Sequence, residues 1–128
     1  YIEDAAGEFG VDPRLLVAQM SAESAFDSSA TSQVGAISLM QVMPFWTTST
    51  GPDAVRFREE TGITSVEQLR HPYQNIRAGA WIVANYIKTC GGIENGILCY
   101  HGGYGALHRP KPSTLRYGAV VLKRYYSI

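Results

Sequence analysis

Apolar and polar positions along the chain divide it into short helices separated by glycine and proline. Residues 2–9 predict a first helix that Gly10 ends. Asp12–Pro13 is a start signal, with the Asp as N-cap and the Pro in the first helical position, and this second helix should run to about Ser24. Residues 28–34 read as a polar loop. Gly35–Met43 is expected to hold a short helix that Pro44 closes, or a small β element between Thr31 and Ser38. Gly51–Pro52–Asp53 opens another helix, stopped by Gly62, and Thr64 and Glu67 stand at capping-box spacing for the next. The longest helix should start at Pro72, carry Ile76, Ala80, Val83 and Ile87 at helical spacing, and stop at Gly91–Gly92. A shorter one over Ile93–Tyr100, a Gly- and Pro-rich loop over 102–112, and a final helix capped by Ser113 and reaching Tyr125 complete the pattern. No alternating run is long enough for a strand. The fold class expected is mainly α, with at most a small β element.

At 128 residues the chain is the size of one domain, large enough to fold without metal or disulfide. Its 45% apolar and 17% charged residues suit a globular protein, and no apolar run approaches the ~20 residues of a membrane span. Tyr1 stands where an initiator Met would be, with no signal-like segment, so a trimmed or processed domain is expected. The zero net charge conceals an asymmetry. Residues 1–60 carry nine acids against three arginines, net −6, and residues 61–128 carry two acids against eight bases, net +6. Mutual attraction of the halves and solvation of the surface account for this, as does a basic wall that receives an anionic polymer. No nucleic-acid motif accompanies the basic residues. Cys90, Cys99 and the three histidines lack zinc-site spacing, so neither metal nor cofactor is expected. The two cysteines suit either a disulfide or a pair of buried thiols.

One carboxylate stands out on helical geometry. Leu16, Met20 and Glu23 fall on one face, apolar apart from Glu23 at its C-terminal end. Desolvation there, and the negative end of the helix dipole, should raise its pKa towards the range of a general acid. On spacing alone, a glutamate on the rim of the stripe, paired or reaching water, fits as well.

The motifs around Glu23 change that weighting. Glu23–Ser24 is followed by Gly35–Ala36–Ile37–Ser38–Leu39–Met40–Gln41–Val42–Met43–Pro44, then by Asn75–Ile76–Arg77–Ala78–Gly79–Ala80, then by Cys99–Tyr100–His101–Gly102–Gly103. In this order the set resembles the soluble lytic transglycosylases, relatives of goose-type lysozyme, over roughly residues 10–125. The resemblance implies a single lysozyme-like catalytic domain over residues 1–128. It also implies cleavage of the β-1,4 bond between N-acetylmuramic acid and N-acetylglucosamine in peptidoglycan, leaving 1,6-anhydro ends. Glu23 would be the catalytic residue. Ser24, Met40, Gln41, Tyr100, His101 and Tyr117 would bind or position substrate. Asp27, one helical turn further on, is the alternative second carboxylate that a hydrolytic muramidase needs. A wall-binding module without turnover is a further alternative. Two departures stand within the motifs: Ser38 replaces a Gly and His101 an Asn, and His101 titrates near neutral pH where Asn does not. The substrate would place the domain in the periplasm or outside the cell, and work within a secretion, wall-remodelling or phage assembly is equally compatible.

Overall fold

The computed structural model describes residues 1–128. Seven helices form around one central member: α1 (Ile2–Phe9), α2 (Pro13–Ser24), α3 (Pro52–Thr61), α4 (Val66–Arg70), α5 (Pro72–Cys90), α6 (Ile93–Gly102) and α7 (Pro112–Ser127). Short 3-10 turns cover Pro44–Thr47 and Tyr104–Leu107. Helix α5 packs against α1, α3, α4 and α6, while α2 and α6 both lie against α7. The central position of α5 follows from its composition, since eleven of its residues are buried, among them Ile76, Ala80, Val83 and Tyr86.

The punctuation acts as expected at most boundaries. Asp12 caps α2 by accepting from the Arg14 N–H at 2.9 Å, and Pro13 occupies the first turn. Gly10, Gly62 and Gly91 end α1, α3 and α5 in left-handed conformation. Three expectations are corrected. The capping box of α4 is formed by Ser65 and Gln68, one residue beyond Thr64 and Glu67. Ser113 does not cap α7; Pro112 starts the helix after Lys111, because its fixed φ already suits the first turn. Helix α6 continues two residues past Tyr100.

The largest difference lies at residues 35–43, which form no helix. Two isolated antiparallel bridges, Thr31 with Ile37 and Ile37 with Val42, fold the segment into tight turns. Ser38 and Gln41 adopt φ of 62° and 50°, values that break a helix. The Ser38 hydroxyl donates to the Ser28 carbonyl at 2.9 Å and helps to hold the bend. The β content is therefore limited to these bridges, and the segment hangs over the C-terminal end of α2.

Cys90 and Cys99 are bonded across the Gly91–Gly92 turn and tie α5 to α6. The opposite charges of the two halves meet directly once: Arg77 of α5 donates to Glu8 of α1 at 2.7 Å. No helix is long and apolar enough to cross a membrane.

Candidate active site

Helix α2 delivers Glu23 to a cavity of ≈ 240 Å³, lined also by Ser32, Ala36, Gln41, Met43, Tyr100 and His101. Leu16 and Met20, its companions on the apolar stripe, are fully buried, so the helix face is a core face up to its last turn. Burial pushes the Glu23 carboxyl up to about 7, while interaction with the Tyr117 hydroxyl pulls it part of the way back. Desolvation wins because only one neighbouring group favours the charged form.

Tyr117 and Tyr100 approach this carboxyl from α7 and α6. Both phenols are held well above their usual range, first by burial and then by the Glu23 charge. The Tyr100 hydroxyl donates to the Met40 carbonyl at 2.7 Å, which fixes the ring against the bridged loop. His101 stacks on Tyr117 with ring centroids 4.7 Å apart, and its Nδ1 lies 2.9 Å from the Thr114 hydroxyl. Partial burial lowers the His101 pKa, so its ring is neutral at neutral pH.

The remaining candidates divide. Gln41 lines the cavity, and its amide donates to the Ser38 and Ala30 carbonyls, leaving its side-chain oxygen without a protein partner. Ser24 sits beside Glu23, but its hydroxyl donates to the Leu39 carbonyl at 2.8 Å and to that of Met20. It binds the loop to the helix rather than facing the cavity. Met40 is not a groove-lining side chain. It is completely buried and packs onto Gly79 of α5, because the left-handed turns at Ser38 and Gln41 direct it inward. Met43 takes the groove position instead.

Asp27 does not join the site. The chain leaves helical geometry at Ala25 and Phe26, both with positive φ, so Asp27 is not one turn beyond Glu23. It is exposed, and hydrogen bonds from the Ser29 backbone and hydroxyl hold its carboxyl below the usual range. No second carboxylate lines the cavity that holds Glu23. No group of three or more His, Cys, Asp or Glu is placed to hold a metal ion.

The cavity is one end of a longer groove. It shares Gln41, Met43, Tyr100 and His101 with a neighbouring space of ≈ 300 Å³ that adds Phe45, Trp46 and Tyr86. That space in turn adjoins one bounded by Asp53 and Tyr104. These aromatic residues went unread in the sequence, since isolated aromatics in helices and turns give no positional signal. Gln19 was also missed, although its position one turn before Glu23 on a buried face marks it; it is wholly buried, and its amide donates to the Tyr117 hydroxyl at 3.4 Å.

Comparison with known proteins matches this architecture. The family model of the transglycosylase SLT domain matches residues 1–119. The chain is 32% identical to the membrane-bound lytic murein transglycosylase C of Actinobacillus succinogenes over 119 residues, 85% of this chain and 32% of that protein. It is 32% identical over 99 residues to the transglycosylase of Enterobacteria phage PRD1, covering 77% of this chain and 32% of that protein. The chain thus spans about a third of the length of these relatives. Among solved structures, an inactive mutant of lytic transglycosylase Slt from Pseudomonas aeruginosa superimposes with a TM-score of 0.81 at 26% identity, over 97% of this chain and 22% of that one. A family match over nearly the whole chain and the shared fold make it a member of the transglycosylase SLT domain family.

Proposed function

We infer that residues 1–128 form a single catalytic domain that cleaves peptidoglycan strands between N-acetylmuramic acid and N-acetylglucosamine, and that Glu23 serves first as acid and then as base. The observation that carries this reading is a lone glutamate, raised to about 7, in a groove wall with no second carboxylate beside it. Two-carboxylate hydrolysis needs a base to activate water on the opposite face of the sugar. A transglycosylase needs only one group that gives and then takes a proton, and a pKa near the working pH suits both halves of that task.

Protonated Glu23 donates to the glycosidic oxygen as the bond to C1 of the muramoyl residue breaks. The substrate's own 2-acetamido oxygen bonds to C1 and carries the positive charge, the substrate-assisted exception to the two-carboxylate scheme. Glu23, now ionised, takes the proton of the muramoyl C6 hydroxyl. That oxygen attacks C1, displaces the acetamido oxygen and closes the 1,6-anhydro ring. No water is consumed and Glu23 ends protonated, ready for the next cycle.

Tyr117 steadies the carboxylate between the two steps, and Tyr100, His101 and Gln41 line the space for the sugars on either side of the bond. The groove towards Phe45, Trp46 and Tyr86 offers apolar faces to further sugars of the strand. The names of the relatives, lytic murein transglycosylases and a phage transglycosylase, agree with a wall substrate and a periplasmic or extracellular setting. Work within a larger wall-remodelling, secretion or phage assembly is compatible with both.

Digestion of purified sacculi followed by mass spectrometry of the products tests the reaction. Anhydro ends, and their loss in Glu23→Gln with binding retained, are expected. Reducing ends from most cuts would make the domain a muramidase of the goose-lysozyme kind, and equal slow clearing by both proteins would leave a binding module.

A further inference from the structure

Gln19 sits one turn before Glu23 on α2, and none of it reaches solvent. Leu15, Leu16, Ala18 and Met20 around it belong to the apolar core. A leucine or methionine would fill such a position without the cost of burying an amide. That cost is visible: the side-chain oxygen of Gln19 has no hydrogen-bond partner. Its Nε2 has one, the Tyr117 hydroxyl. The buried amide therefore serves the phenol that abuts Glu23 and satisfies nothing else.

The geometry limits where the Tyr117 proton goes. A phenol oxygen carries one proton, and the Gln19 N–H occupies one side of that oxygen as a donor. The proton is then left for another acceptor, and Glu23 is the carboxyl that interacts with this hydroxyl. Hydrogen bonds joined head to tail polarise one another, so donation from Gln19 makes Tyr117 a better donor. We propose that Gln19 is a positioning residue, whose amide directs the Tyr117 hydroxyl onto Glu23 and so stabilises the carboxylate formed after proton transfer. This rests on the reading of Glu23 as the acid and base.

The titratable groups facing Glu23 are Tyr117 of α7 and Tyr100 and His101 of α6, with Tyr86 of α5 behind Tyr100. The loop over α2 contributes only uncharged side chains to the cavity. A shift in the Glu23 titration on changing Gln19 would then come through Tyr117.

The experiment is a carbon-13 NMR titration of the Glu23 carboxyl, alongside kcat/KM against pH on sacculi, in wild type, Gln19→Met, Tyr117→Phe and the double variant. Gln19→Met is expected to raise the Glu23 midpoint by about half a pH unit, with the descending limb of kcat/KM moving in step. In the Tyr117→Phe background the same change should add almost nothing. An unmoved midpoint, or an equal shift with and without the Tyr117 hydroxyl, overturns the proposal. If Gln19→Met does not fold, Gln19→Leu carries the same expectation. If neither folds, the wild-type Tyr117 hydroxyl proton decides: its resonance should move as Glu23 titrates, and one that does not overturns the idea. The NMR midpoint is read without turnover, so an inactive protein with the expected shift would sink the reading of function alone.

Discussion

The side-chain oxygen of Asn75 accepts the backbone N–H of Met40 at 2.7 Å, which ties the middle of the molecule to the loop over the Glu23 cavity. The same amide donates to the carbonyls of Ile37 and Leu69 at 3.0 and 2.8 Å, so a wholly buried Asn on α5 serves three backbone groups. Asn75→Leu would strand the Met40 N–H and the Leu69 carbonyl in the core. The expected cost is about 2–4 kcal/mol, seen as a fall in Tm on the order of 10 °C. An unchanged Tm would show that the loop is held by other contacts.

Gly79 is a second determinant of the same loop. A Cβ built on it would come within 2.6 Å of the Met40 side chain, far closer than packed carbons approach. Gly79→Ala should displace Met40 and, through the Met40 carbonyl, the hydrogen bond that fixes Tyr100. Destabilisation of about 1–3 kcal/mol in urea unfolding is expected. The double variant Gly79→Ala with Met40→Ala should cost less than the sum of the two single changes, because the added methyl fills space the methionine leaves. Simple additivity would refute the clash.

Helix order and most boundaries were legible because Gly, Pro and Asp act locally: the left-handed stops at Gly10, Gly62 and Gly91 and the Asp12–Pro13 start need no tertiary partner. The register of one helix likewise placed Glu23 on a buried face, though only the ordered motifs around it singled it out. Residues 35–43 were not. Their turns depend on Asn75, 35 residues from Met40, and on the Ser24 hydroxyl at the Leu39 carbonyl, long-range bonds that no local pattern reports. The inward side chain of Met40 and the displacement of Asp27 both follow from non-glycine residues in left-handed conformation, which sequence rules count against. Ser38, standing where the resembling motif has a glycine, is one of these, and its φ of 62° accounts for the glycine elsewhere.

Glu23 should leave a pH signature in stability as well as in rate. Its carboxyl is raised from 4.5 to about 7 on folding, so the folded state holds its proton where the unfolded chain has lost it. The stabilising contribution is therefore complete below 4.5, declines as pH rises, and is lost once pH passes about 7. The full cost of the buried charge is about 3 kcal/mol. Glu23→Gln carries no such cost. Denaturant unfolding at pH 5 and pH 8.5 should show the variant gaining on the wild type at the higher pH, and a gap independent of pH would mean that Glu23 is not desolvated.

His101 makes the acid side of the rate profile testable. Its ring shares the cavity with Glu23, stacks on Tyr117 and meets the Thr114 hydroxyl through Nδ1. Burial lowers its pKa, so at neutral pH it is an uncharged hydrogen-bonding group, which is what an Asn supplies. Protonation at lower pH places a positive charge beside the carboxyl that must hold its proton, and favours loss of that proton. His101→Asn should therefore match the wild type near neutral pH. Below the His101 midpoint its kcat/KM should exceed the wild type's by a few-fold ratio that levels off at lower pH, where Glu23 is protonated in both proteins. Profiles measured on sacculi with both proteins check this. Parallel acid limbs would show that the histidine's charge does not reach Glu23, whereas a loss of rate at every pH would mean that the imidazole itself contacts the sugar.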